Sequence, residues 1–385
     1  MRKFPSSMMA ILAVLALILA ACTDGTGGSP TAGAESEAPT ASAPDASEPA
    51  SEAPTEEPAG LEACGEPESG DALQIGVVTD IGQLEDKSFN EASWCGAIAG
   101  ATSVGGTADV IVTEDISDYE QNIQQFVDEG YDVIVTVGFL ITDATLAAAE
   151  ANPDIQFIGV DQFIAADPPP DNYQGLIFAE AQSGYLAGIV AASVSETGVI
   201  AAVGGQSDVP PVVNFIAGYA NGAASVNPDI EVLAQYTETF TDPVVGRSTA
   251  EQLIGQDADV IFQVAGLTGA GALEAACDAG VLGIGVDVDQ ALSLPDLAEC
   301  IVTSAEKKLR NAVAAAIERV ADGESTGGNV INDATNEGIG LAPFYDFEDE
   351  VGEDVQGLID EATEAMAAGD LDPCEGDGGI PCFGQ

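Results

Sequence analysis

Asp80, Ser88, Phe89 and Asn90 lie between an apolar, β-branched run, Leu73–Thr79, and a stretch from Glu91 that opens a helix. Together they supply a carboxylate acceptor, a hydroxyl, an aromatic face and an amide. Groups of these kinds hold small polar molecules by hydrogen bonding and stacking. In an open α/β sheet, ligands bind where strands end and helices begin. The spacing therefore predicts a ligand mouth, and an ordinary strand-to-helix connection is the plainer alternative.

Two later runs end in the same way. Ile158-Gly-Val-Asp161-Gln162 and Ile284-Gly-Val-Asp287 each read as a buried strand ending in aspartate. A helix N-cap is the other reading of each. Lys307 belongs with them because the chain beyond its first segment has so few cations: Lys87, Arg247, Lys307, Lys308, Arg310 and Arg319. Pairing with Glu306 is its alternative. Asp86 and Lys87 read as a local ion pair that shapes the loop. Gly266-Leu-Thr-Gly269-Ala-Gly271 lacks the Gly-Lys-Ser/Thr ending of a phosphate-binding loop, so Gly266 reads as backbone near a ligand.

Alternating elements must position these groups. Strands are expected at 73–79, 108–113, 133–137, 157–160 and 175–178, then at 199–203, 231–236, 260–264, 282–286 and 301–303. Helices are expected at 119–129, 143–151, 182–195, 212–224, 245–255, 270–279 and 305–321. The pattern predicts an α/β protein: two doubly wound parallel-sheet lobes with a ligand cleft between them.

Composition removes several chemistries. The chain has no histidine, which excludes histidine bases, histidine triads and histidine metal ligands. No close Cys-x-x-Cys pair is present, so neither a metal nor a cofactor is called for. A formal charge of −57 excludes nucleic acid as a partner, because phosphate backbones need cations. It also favours a soluble monomer through self-repulsion.

Met1-Arg2-Lys3, an apolar segment to Ala21 and Leu19-Ala20-Ala21-Cys22 read as a lipoprotein signal peptide, residues 1–21, with lipidation at Cys22. Lipid chains anchor a protein without spanning, at roughly 0.8 kcal/mol per buried CH₂. Residues 22–60 are rich in Pro, Ala, Ser and Glu without aromatics. They read as a disordered tether of roughly 35 Å. The expected location is the extracellular or periplasmic side of the cell membrane. Of seven cysteines, six remain after Cys22, an even number that suggests disulfides. Sequence-local pairing gives 64–95, 277–300 and 374–382.

The chain resembles the basic membrane protein (BMP) family, the PnrA-like nucleoside-binding lipoproteins of ABC transporters. The resemblance rests on Val78-Thr-Asp80, Asp86-Lys-Ser-Phe-Asn90, Gly159-Val-Asp161-Gln162, Phe215-Ile-Ala-Gly-Tyr219, the run Asp259–Gly266, Gly285-Val-Asp287, Thr303-Ser304 with Lys307, and Gly338-Ile-Gly-Leu341. It implies a type I periplasmic-binding-protein fold. Lobe 1 would span about 72–181 plus 305–331, and lobe 2 about 182–304 plus 332–370. It further implies an ABC permease partner and a purine nucleoside as the small-molecule ligand. By that resemblance Phe89 stacks on the base and Phe215 takes its other face, with Phe240 and then Phe139 as rivals. Asp161 accepts from the base edge. Asp287 and Lys307 hold the ribose with help from Gly266, and Asp80, Ser88 and Asn90 line the mouth. Arg310 stands where the family pattern favours aspartate, and the Cys374–Cys382 tail looks additional.

Three functions follow for comparison. The first is a nucleoside receptor for an importer. The second is a sensor or permease component for a sugar or another metabolite. The third is a carboxylate-dependent nucleoside hydrolase, whose mark would be an aspartate cluster in one short loop; the chain has none beside the predicted pocket.

Overall fold

The computed structural model describes residues 64–65, 70, 72–325 and 327–384. The signal segment, Cys22 and the tether lie outside them.

Parallel strands buried on both faces demand near-continuous apolar runs, and the chain supplies two sets. The first sheet contains β1 (Gln74–Ile81), β2 (Thr107–Thr113), β3 (Val133–Val137), β4 (Gln156–Val160), β5 (Tyr173–Phe178) and β11 (Gly328–Asn332). Its order is β11-β5-β4-β3-β1-β2 and every pairing is parallel. The second contains β6 (Val199–Gly204), β7 (Glu231–Tyr236), β8 (Val260–Val264), β9 (Leu282–Asp287), β10 (Ile301–Lys307) and β12 (Ile339–Leu341), ordered β12-β10-β9-β8-β6-β7. Only β12 runs antiparallel, beside β10.

Helices α1 (Phe89–Val104), α2 (Tyr119–Glu129), α3 (Thr142–Ala151) and α9 (Leu309–Ala321) cover the first sheet. Helices α4 (Glu180–Val194), α5 (Pro210–Val226), α6 (Pro243–Ile254), α7 (Gly266–Ala279), the short α8 (Gln290–Ser293) and α10 (Glu348–Ala368) go with the second. The chain crosses between the sheets after β5, after β10 and after β11.

One expected boundary is corrected. The helix read from Ala305 starts at Leu309, and Ala305–Lys307 extend β10. Ala305 pairs with Val286 on one side and Leu341 on the other, so sheet pairing overrides the helical propensity of Ala-Glu-Lys. This places Lys307 at a strand end facing the cleft.

α4 and α5 pack with backbones almost touching. A Cβ on Gly184 would collide with the Phe215 carbonyl, and one on Gly218 with the Ala181 carbonyl. Phe215 also meets Phe262 of β8 edge-on, ring centroids 6.2 Å apart. The α5 segment that carries this ring is thus set by close packing on two sides.

The disulfides are Cys64–Cys95, Cys277–Cys300 and Cys374–Cys382, the sequence-local pairing. Among the described residues no helix is long and apolar enough to cross a membrane.

Candidate ligand-binding cleft

The loop after β1 is shaped by its own polar groups. The Asp86 carboxylate accepts from the backbone N–H groups of Ser88 (2.9 Å), Asn90 (2.9 Å) and Glu91 (3.2 Å). It thereby satisfies the first turn of α1, where donors have no helical partner and negative charge is favoured. The expected Asp86–Lys87 ion pair is not formed. Asp86 is turned inward to these donors, and Lys87 pairs instead with Glu91 at 3.1 Å.

Asp80 accepts from the Tyr119 hydroxyl and from the Ile81 N–H, while its own N–H donates to Asn90 Oδ1 at 3.1 Å. Asn90 Nδ2 donates to the Gln83 carbonyl at 3.2 Å. Both residues line the cleft and fix the loop. Burial pushes the Asp80 carboxyl up to about 6 against the Tyr119 bond, and Asp86 up to about 7 against its three N–H donors.

Ser88 departs from expectation. It is fully buried and does not line the cleft; its hydroxyl donates to Asp287 Oδ2 at 2.8 Å. A side chain pointing at the second lobe cannot also face the mouth.

Asp161 and Asp287 follow β4 and end β9 with left-handed φ values of 58° and 66°. Neither caps a helix; the cap of α8 is Asp289. Both point toward Lys307, whose Nζ lies 2.6 Å from Asp161 Oδ2 and 3.4 Å from Asp287 Oδ1. The same nitrogen sits 4.7 Å from the Phe89 ring centroid and 5.5 Å from that of Phe215. Burial pushes the ammonium down, but Asp161, Asp287 and Glu180 outweigh it and hold it charged. Asp161 Oδ1 is buried without a hydrogen-bond partner.

Around these groups lies a cleft lined by residues from both sheets, a concave site of the kind small molecules occupy. The β1, β3 and β4 side contributes Asp80, Phe89, Asn90, Phe139 and Asp161. The second sheet and its helices contribute Phe215, Phe240, Gly266, Asp287 and Lys307. All the expected site residues except Ser88 meet here, as do both rival rings. Such a surface can stack a flat ring and accept hydrogen bonds.

Glu180 escaped the sequence reading. It opens α4, is 6% exposed, and feels the charges of both Asp161 and Lys307. Burial, followed by the Asp161 charge, raises its carboxyl to about 8. A glutamate in a first helical turn is ordinary, so nothing local marked it. Among the described residues no group of three or more acidic or cysteine side chains is placed to hold a metal.

A two-lobed α/β body with a polar, aromatic cleft at its strand ends is the architecture of a solute-binding protein. A solved solute-binding protein from Aeropyrum pernix superposes with a TM-score of 0.72 at 26% identity, covering 78% of this chain and 92% of that one. One from Conexibacter woesei gives 0.64 at 27% identity, over 78% and 98%. These place the fold among type I periplasmic binding proteins. Residues 73–366 match the family described as ABC transporter substrate-binding protein, PnrA-like, and the chain belongs to that family. Its members are binding components of transporters, not enzymes. Basic membrane protein A of Borreliella burgdorferi is 32% identical over 273 residues, 69% of this chain and 78% of that protein. An ABC transporter nucleoside-binding protein, BmpA, of Lactococcus lactis is 36% identical over 204 residues, 52% of this chain and 57% of that one.

Proposed function

We propose that this chain captures a purine nucleoside between its lobes and delivers it to an ABC permease, held at the outer face of the cell membrane by a lipid on Cys22. The observation that supports the ligand best is that Phe89 from one lobe and Phe215 and Phe240 from the other line one cleft, with an unpaired, buried Asp161 Oδ1. A purine offers the matching flat face and edge donors. Stacking on an aromatic is worth roughly 1–3 kcal/mol per base. Asp161 takes the base edge in this reading. Asp287 and Lys307 hold the ribose with the Gly266 backbone, and Asp80 and Asn90 frame the mouth. Ser88 acts one step back, by orienting Asp287.

Calorimetric titration of protein freed of carried-over ligand tests it, with guanosine, inosine, adenosine, uridine and simple sugars as the panel. Tight purine-nucleoside binding with weak sugar binding is expected. Sugar binding without nucleoside binding overturns the reading.

A further inference from the structure

The family match ends at residue 366, and the chain beyond it lies along α5. The disulfide Cys374–Cys382 closes a small loop. Asn221 grips that loop at two points: its Nδ2 donates to the Pro373 carbonyl at 2.9 Å and its Oδ1 accepts from the Gly378 N–H at 3.0 Å. Cys382 is buried against Ala217 of α5 and Ala181 of α4. One residue later the Phe383 N–H donates to Asn214 Oδ1 at 3.0 Å. Asn214, Ala217 and Asn221 are spaced three and four apart, so the tail follows one face of α5 for two turns.

Asn214 joins this outer surface to the cleft. Its side chain also lies close to the Glu180 carboxylate and favours its charged form, as the charge of Lys307 does. The next residue is Phe215, whose ring lines the cleft. The tail therefore meets the ligand-facing machinery through one amide side chain.

We propose that the disulfide-closed tail, residues 374–383, is a positioning strap: it fixes Asn214, and through it Glu180 and the Phe215 turn, in the geometry the cleft requires. The inference rests on the cleft being the ligand site and not on the ligand's identity. Asn214 is a positioning residue, one layer removed from the ligand. The device lies outside the matched family region.

The test uses the soluble body in three forms: intact, ending at Asp372, and intact with Asn214→Ala. Amide hydrogen exchange is measured without ligand, and guanosine binding is measured by calorimetry across pH. In the shortened chain, exchange is expected to rise in residues 212–218 while β8 and β9 stay protected. In both altered forms, guanosine affinity should fall about fivefold, the equivalent of one lost hydrogen bond. Asn214→Ala should also shift the pH dependence of binding upward, because Glu180 loses a neighbour that favours its charged form while still feeling Asp161 from the end of β4 and Lys307 from β10. Unchanged α5 exchange in the shortened chain overturns the strap. So does exchange that rises evenly through the second lobe, which would make the tail a general stabiliser. Should the intact chain bind no guanosine, the nucleoside reading falls, and the exchange pattern, measured without ligand, still decides the strap.

Discussion

Lys307 and Asp161 join the two lobes: Nζ at the end of a second-sheet strand lies 2.6 Å from a carboxylate that follows a first-sheet strand. Asp287 approaches the same nitrogen from its own lobe at 3.4 Å and receives the Ser88 hydroxyl from the other lobe. The ends of the two sheets are thus linked through a buried, charged cluster at the base of the cleft.

Removing the cation should leave Asp161, Asp287 and Glu180 facing one another. Lys307→Met is expected to destabilise the fold by about 3–5 kcal/mol, the cost of breaking a buried ion pair from one side. Urea unfolding measures it. A loss under about 1 kcal/mol, the scale of a surface pair, would show that the cluster is solvated in solution.

Phe89 and Phe215 should separate affinity from stability. Phe89 is partly exposed at the start of α1, and Phe89→Ala should weaken nucleoside binding by roughly 1–3 kcal/mol with a small change in melting temperature. Phe215 is 1% exposed, so Phe215→Ala should cost about 3–5 kcal/mol of stability as well. Calorimetry paired with thermal melts distinguishes the two. Unchanged affinity in the Phe89 variant contradicts its stacking role.

Stability should fall as pH rises. Asp80, Asp86 and Glu180 are raised from ordinary values of 3.8, 3.8 and 4.5 to about 6, 7 and 8. Between those limits the folded chain holds protons that the unfolded chain has released. Their contribution is complete below the unfolded values and is lost by about pH 8. Urea midpoints should be higher near pH 5 than near pH 8.5. Surface self-repulsion acts in the same direction. Glu180→Gln isolates the buried part, because it should flatten the slope. An unaltered slope in that variant removes Glu180 from the account.

The α4–α5 contact should tolerate no added methyl. Gly184→Ala pushes against the Phe215 carbonyl and should cost about 1–3 kcal/mol, the range for overpacking. Because the displaced carbonyl belongs to the ring residue, nucleoside affinity should fall in parallel. A stable variant with full affinity would mean the two helices can part without moving the ring.

Much of this was legible from residue order. Apolar runs ending in Asp80, Asp161 and Asp287 marked the strand ends, and Asp86-Lys-Ser-Phe-Asn90 marked the loop. What escaped depends on pairing across long stretches of chain. Ala305–Lys307 look helical in isolation and become strand only between β9 and β12. β11 and β12 are short and α10 carries many acids, so periodicity gave them little signal. Sequence puts Ser88 at the mouth because it shows a hydroxyl without its direction. Glu180 gains its importance only when α4 brings it beside a strand end from each sheet.

With no imidazole anywhere in the chain, proton exchange near neutrality at the cleft falls to buried carboxyls, Asp80, Asp86 and Glu180 among them. Their protonated C=O stretches absorb apart from ionised surface acids. An infrared difference spectrum between loaded and empty protein would therefore report, as one isolated band, whether capture moves a proton.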